Sequence, residues 1–241
     1  MKTRRIKGFI GTMALAAAGC ATYAALTSHT QHPYYAVAVL LLAMATSRMK
    51  VKLPGLEGNM SVNLPFLLAA AVNLSAEEAI AITVVSTVVQ CWPKRGSKLK
   101  TEQMVFNVSM MTLATSLASL LFHSGWLQRG PENLGIALAA GALFLGQTVP
   151  VASIIALSGD EKVGSVWRNL AQLSFPYFVV SAGMTAMMQT VDHHLGWGAA
   201  LAVFPVMYGI HRSYVTYFAR AVEAVEAVRS RPLSHAAAAG V

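Results

Sequence analysis

Apolar residues in this chain fill long blocks bounded by charges instead of recurring at a single helical or strand spacing. Eight blocks stand out: Gly8–Ser28, Tyr34–Ser47, Ser61–Leu74, Ala79–Trp92, Met104–Phe122, Leu134–Leu157, Leu170–Val191 and Leu195–Ile210. A bilayer core about 30 Å thick takes roughly 20 apolar residues as helix, with a range of about 17–25. The first, fifth, sixth and seventh blocks meet that length, and the second does if it runs from His32 to Met49. The third and fourth are short, with Glu77 and Glu78 between them. They read either as a tight hairpin of two crossings or as a re-entrant pair that turns back. The expected fold is an all-α polytopic transmembrane helix bundle of about eight spans, with six as the second choice.

Composition supports the membrane reading. Of the 241 residues, 55% are hydrophobic and 12% charged, and the mean hydropathy is +0.53. An ordinary soluble domain carries about 25% charged residues, so this chain has too few to cover a soluble surface. Disulfide-stapled and metal-stapled classes fall away too. The only cysteines are Cys20 and Cys91, which read as small apolar fillers.

Charge then sets direction, because short cytoplasmic loops collect Lys and Arg. With the amino terminus inside, eight alternating crossings place every Lys and Arg in the cytoplasm except Arg129. An odd number of spans breaks this asymmetry, whereas removing spans three and four together preserves it. Both termini are therefore expected in the cytoplasm of a bacterial inner-membrane protein. Trp92, Trp126, Trp167 and Trp197 fall at span ends, where amphipathic rings favour the headgroup layer. The net charge of +8 reads as orientation and contact with the lipid bilayer, with no nucleic-acid partner. Lys2–Lys7 before an apolar run resembles a signal peptide, but that run continues past Cys20 to Leu26, so an uncleaved first span is expected.

Polar residues within the blocks carry the remaining chemistry. No charge sits mid-span. Glu77, Glu78 and Glu102 fall at helix starts, which suits the helix dipole, and Ser75 with Glu78 forms the capping-box pattern S-A-E-E. Ser109, Thr112, Ser116 and Ser119 make one stripe on span five, read as close helix packing or as the lining of a cavity. Pro65, Pro150, Pro176 and Pro205 free backbone carbonyls that neighbours or water must satisfy. His29, His32, His123, His193 and His194 gather on the expected outer side, but interfacial histidines are common and no metal ligands are assigned. The chain has no G-x-S-x-G elbow, phosphate-binding glycine loop or H-E-x-x-H, so no catalytic residue and no cofactor is assigned. If a ligand site exists, the polar inner ends of spans three, five and seven are the place for it: Ser61, Asn63, Gln103, Asn107, Asn169 and Gln172.

Beyond residue 211, Val215, Phe218, Val222 and Val225 follow a coiled-coil spacing on a segment free of proline and glycine. The expected organisation is a bundle over 1–211, a cytoplasmic exit helix over 212–230 and a disordered tail over 231–241. A homodimer through the exit helix is one expected partner.

Several stretches resemble the multispan, MASE-like sensor domains of bacterial signalling proteins. They are S-R-M-K-V-K-L-P-G-L-E-G-N-M-S-V-N-L-P-F (Ser47–Phe66), V-V-Q-C-W-P-K-R (Val88–Arg95), V-F-N-V (Val105–Val108), V-W-R-N (Val166–Asn169), S-F-P-Y-F (Ser174–Phe178) and the run from His194 to Tyr214. In that group the membrane part precedes a cyclic-di-GMP cyclase (GGDEF) or phosphodiesterase (HD-GYP) domain. The chain ends about where a linker helix would lead into such an output. The resemblance therefore implies a sensor without a catalytic domain, passing its signal to a separate cytoplasmic signalling protein. The alternative expectation is a small-molecule transporter, or its substrate-binding membrane subunit.

Overall fold

The computed structural model describes residues 2–28, 33–52, 59–93, 98–125, 127, 130–159 and 161–195, with isolated positions at 205, 206, 209, 212, 213 and 216. The expected eighth span, exit helix and tail lie outside the described residues apart from those isolated positions. Among the described residues the chain forms seven helices: α1 (Lys2–Thr27), α2 (Pro33–Ser47), α3 (Leu64–Asn73), α4 (Ala76–Cys91), α5 (Thr101–Phe122), α6 (Glu132–Ser158) and α7 (Val163–Leu195). The all-α expectation needs one amendment. Between α2 and α3 an antiparallel ribbon pairs β1 (Lys50–Lys52) with β2 (Asn59–Ser61). Ser61 therefore belongs to a strand and not to the start of a span. The stretch joining the two strands holds Pro54, Gly55 and Gly58, residues that disfavour helix and favour reversal of the chain.

Among the described residues four helices are long and apolar enough to cross a membrane: Thr3–Thr27, Thr101–Phe122, Glu132–Ser158 and Val163–Thr190. α2, α3 and α4 are not. Their 15, 10 and 16 residues rise about 22 Å, 15 Å and 24 Å at 1.5 Å per residue. The capping box expected at Ser75 and Glu78 forms in full and starts α4 immediately after α3 ends. This two-residue junction makes α3 and α4 a tight pair with unequal arms.

Contacts between helices fix their directions. Lys7 Nζ lies 3.0 Å from Glu102 Oε1, and the rings of Phe9 and Phe106 are 6.4 Å apart, so α1 and α5 start together. α4 runs against α5, because Thr83 meets Thr115 while Cys91 meets Asn107. α6 runs against α5 and α7 against α6, as the Gly146–Ala114, Gly135–Phe122, Trp167–Thr148 and Phe144–Phe178 contacts require. α3 runs with α7, since Thr185 pairs with Pro65 and Gln189 with Asn73. Tyr35, near the start of α2, meets Asn73 at the end of α3. Direction thus alternates through all seven helices.

The interior has two lobes sharing α3. One joins Phe66, Leu67 and Ala70 of α3 to Met13, Val39, Ile82, Phe106, Met110, Met111 and Met184. The other joins Leu68 and Val72 to Ala114, Ala118, Ala139, Leu143 and Phe178. Every α3 residue from Leu64 to Val72 is buried, as expected of a helix that is apolar on all sides. α1 is its opposite: Leu15 and Leu26 are each 77% exposed. The α5–α6 seam is the closest approach. A Cβ at Gly146 would lie 2.7 Å from the Cβ and 2.9 Å from the Cα of Ala114. Small residues permit such backbone contact where lipid supplies no hydrophobic drive for helix association.

Candidate functional site

α3 is enclosed by α2, α4, α5, α6 and α7, and the polar groups of the bundle gather at its two ends and beside it. At its carboxyl end Asn73 links three helices. Its Nδ2 donates to Tyr35 Oη of α2 at 3.2 Å, and its Oδ1 accepts from Gln189 Nε2 of α7 at 2.9 Å. Two residues on, Ser75 caps α4. Its N–H and Oγ donate to Glu78 Oε2 at 3.1 and 2.9 Å, and its Oγ accepts from the Glu78 N–H at 3.3 Å. Glu78 is a buried carboxylate, 7% exposed.

Beside α3, Thr83 of α4 and Thr115 of α5 share a hydrogen bond of 3.0 Å between fully buried hydroxyls. The stripe expected on span five behaves differently. Ser109 and Ser116 donate to carbonyls of their own helix, Val105 O and Thr112 O. The bonds from α5 across to α4 come instead from Thr115 and Asn107, both outside that stripe.

At its amino end α3 begins with Asn63, which is 3% exposed, with Pro65 in the first turn and no side-chain capping bond. Five buried side-chain atoms have no hydrogen-bond partner among the described residues: Asn63 Nδ2, Glu78 Oε1, Thr87 Oγ1, Gln147 Nε2 and Gln189 Oε1. Such orphans are uncommon in native interiors, and each calls for a physical cause.

The six residues singled out from sequence all stand near the end where α3, α5 and α7 start, but they occupy different surroundings. Asn63 is buried, and Asn107 is half-buried with its Nδ2 donating to Cys91 Sγ at 3.3 Å. Gln103, Asn169 and Gln172 are exposed. Ser61 pairs through its strand with Lys50. No described hydrogen bond joins any two of the six. Cys91 accepts a bond from Asn107, which a purely apolar filler would not do, and both cysteines are free. Among the described residues no group of three or more His, Cys, Asp or Glu is placed to hold a metal. His123 contacts its own helix, through Ser119 O at 2.9 Å, and the edge of Phe122.

Sequence reasoning missed Tyr35, Asn73, Gln189 and Thr115. One signal was available: Asn73 and the capping box lie two residues apart, so polar chemistry is dense where the chain turns between two apolar arms.

Long apolar helices, an enclosed short helix and lipid-like exposure of α1 define a multi-pass helical membrane protein. Within that class the family is shown by sequence. The MASE9 family model matches residues 12–214, and the chain belongs to this family of multispan membrane sensor domains. No curated protein and no solved structure matches the chain.

Proposed function

We propose that this chain is a sensor of the bacterial inner membrane that passes a signal from its bundle to a cytoplasmic partner through its C-terminal helix. The observation that carries this reading is the family match across residues 12–214. The bundle supports it. Lys7, Arg48, Lys98, Lys100, Lys162 and Arg168 all flank the ends where α1, α3, α5 and α7 start or where α2 finishes. That is the cytoplasmic face by the positive-inside rule. An even span count then returns the chain to the cytoplasm, with eight as the proposed number. A ligand site over Ser61, Asn63, Gln103, Asn107, Asn169 and Gln172 remains part of this proposal, centred on the buried Asn63.

The test is paired. Reporters fused after Val241 should be active only as cytoplasmic fusions, and single cysteines along Val215–Val225 should crosslink between copies in membranes. Periplasmic activity overturns the orientation, and crosslinking absent along the whole segment removes the transmitting helix.

A second reading has its own observation. A short interior helix with unpaired polar atoms near both ends is the arrangement by which many transporters hold substrate near the bilayer midplane. Uptake into proteoliposomes that is abolished by blocking the bundle interior would favour transport over sensing.

A further inference from the structure

The start of α3 is short of negative charge. Asn63 stands at the cap position and is 3% exposed. A residue there ordinarily turns a side-chain oxygen onto the first N–H groups of the helix, and Asn63 makes no such bond. Its backbone carbonyl takes the N–H groups of Phe66 and Leu67, both at 3.1 Å, and Pro65 has no N–H to offer. What is left is a buried donor, Asn63 Nδ2, with no partner among the described residues. It belongs to the residue that opens a helix of 10 residues, at the end where the dipole is positive. A buried donor and a positive pole in one place both call for an acceptor that carries negative charge.

The described side chains do not supply that charge. Glu102, in the first turn of α5, is 63% exposed and pairs with Lys7 at 3.0 Å. Glu161, just before α7, is exposed, and Glu57 and Asp160 lie outside the described residues. Basic residues gather here instead. Val62 N–H donates to Met49 O at 3.1 Å, which sets the start of α3 beside the end of α2, where Arg48 is exposed. The ribbon leading into α3 carries Lys50 and Lys52. Water would satisfy the lone donor but leave the helix pole and the basic residues without a counter-charge.

We propose that the start of α3 binds a phosphate group, with Asn63 Nδ2 donating to one of its oxygens. The several oxygens of a phosphate let one group meet the buried donor and the outer cations together, which a halide ion does not. Free phosphate in the cytoplasm and the headgroup of an anionic phospholipid in the inner leaflet share this chemistry. The proposal names the ligand class of the site centred on Asn63 and rests on that part of the sensor reading. Binding is measured without a reporter, a crosslink or a signalling output, so each fails while the other stands.

The experiment uses the full chain in nanodiscs of an uncharged, phosphate-free galactolipid, at constant ionic strength, and follows the unfolding temperature in two arms. In one, sodium phosphate replaces sodium chloride. In the other, phosphatidylglycerol replaces part of the galactolipid with chloride as the only salt. A saturable rise in at least one arm is the expected result, and the arm that responds identifies the source. Asn63→Asp sets a carboxylate at the helix start, keeps a good cap there and should abolish the rise. Asn63→Ala removes the donor alone and should weaken half-saturation about tenfold or more, the scale of one charge-assisted bond. It serves as the readout if Asn63→Asp does not fold. Equal unfolding temperatures across both arms overturn the proposal. An unchanged response in either variant also overturns it, by assigning the phosphate to surface lysines and arginines.

Discussion

The α5–α6 seam and the seat of α3 are both buried and both apolar, but they are built in opposite ways. The seam brings backbones together over Gly146 and Ala114, with Ala118, Ala139 and Leu143 closed around it. The seat of α3 is lined in part by Met13, Met110, Met111 and Met184, and Met188 packs on Ala69. Methionine is unbranched and adapts to irregular neighbours, and the polar atoms at the ends of α3 are not all paired. The difference separates a scaffold, whose geometry admits one arrangement, from an insert whose surroundings tolerate several. A sensor requires both.

The largest effect that would sharpen this contrast is at the seam. Gly146→Val should destabilise the bundle by about 3 kcal/mol, the upper end of ordinary overpacking, measured by unfolding in mixed micelles. A cost below that of a comparable change in α3 would break the distinction. At the insert the sign should reverse. Asn63→Ala removes a buried amide whose Nδ2 has no partner and should stabilise by about 1 kcal/mol, read in the same assay. Destabilisation would show that Asn63 is satisfied within the chain. Thr83→Val removes the bond to Thr115 that couples α4 to α5 and should cost about 0.6 kcal/mol, the usual scale for such bonds in membranes. Smallest is Lys7→Ala. Its partner Glu102 is as exposed as Lys7 itself, so the change should be no more than a few tenths of a kcal/mol, shrinking further in salt. A larger loss would mean that the start of α1 is part of the scaffold.

Much of the architecture was legible as blocks between charges. α5 and α6 begin two or three residues before their apolar blocks and end within one residue of them, because Thr101, Glu102 and Glu132 supply polar first turns. α7 starts seven residues before its block. Val163 to Asn169 is helical but carries Trp167 and Arg168, which a reading by apolar content discards. The ribbon was not visible, since three alternating residues on each strand are too few to declare a period. Nor was the enclosure of α3, because a short helix that is apolar all round reads the same whether lipid or protein surrounds it. The site was harder still. Capping at Ser75 is local and was read correctly, whereas Tyr35, Asn73 and Gln189 meet across separations of 38 and 116 residues that no local pattern encodes.

α7 has 33 residues and rises about 50 Å, against a hydrocarbon core of about 30 Å. A helix so overlong must lean or protrude, and the amount depends on the thickness of the surrounding lipid. Gln189, near its far end, moves with that inclination, and Asn73 is attached to Gln189. Acyl-chain length therefore becomes an input to the junction in its own right, and reconstitution in thin and thick bilayers varies the geometry of the protein as directly as a substitution does.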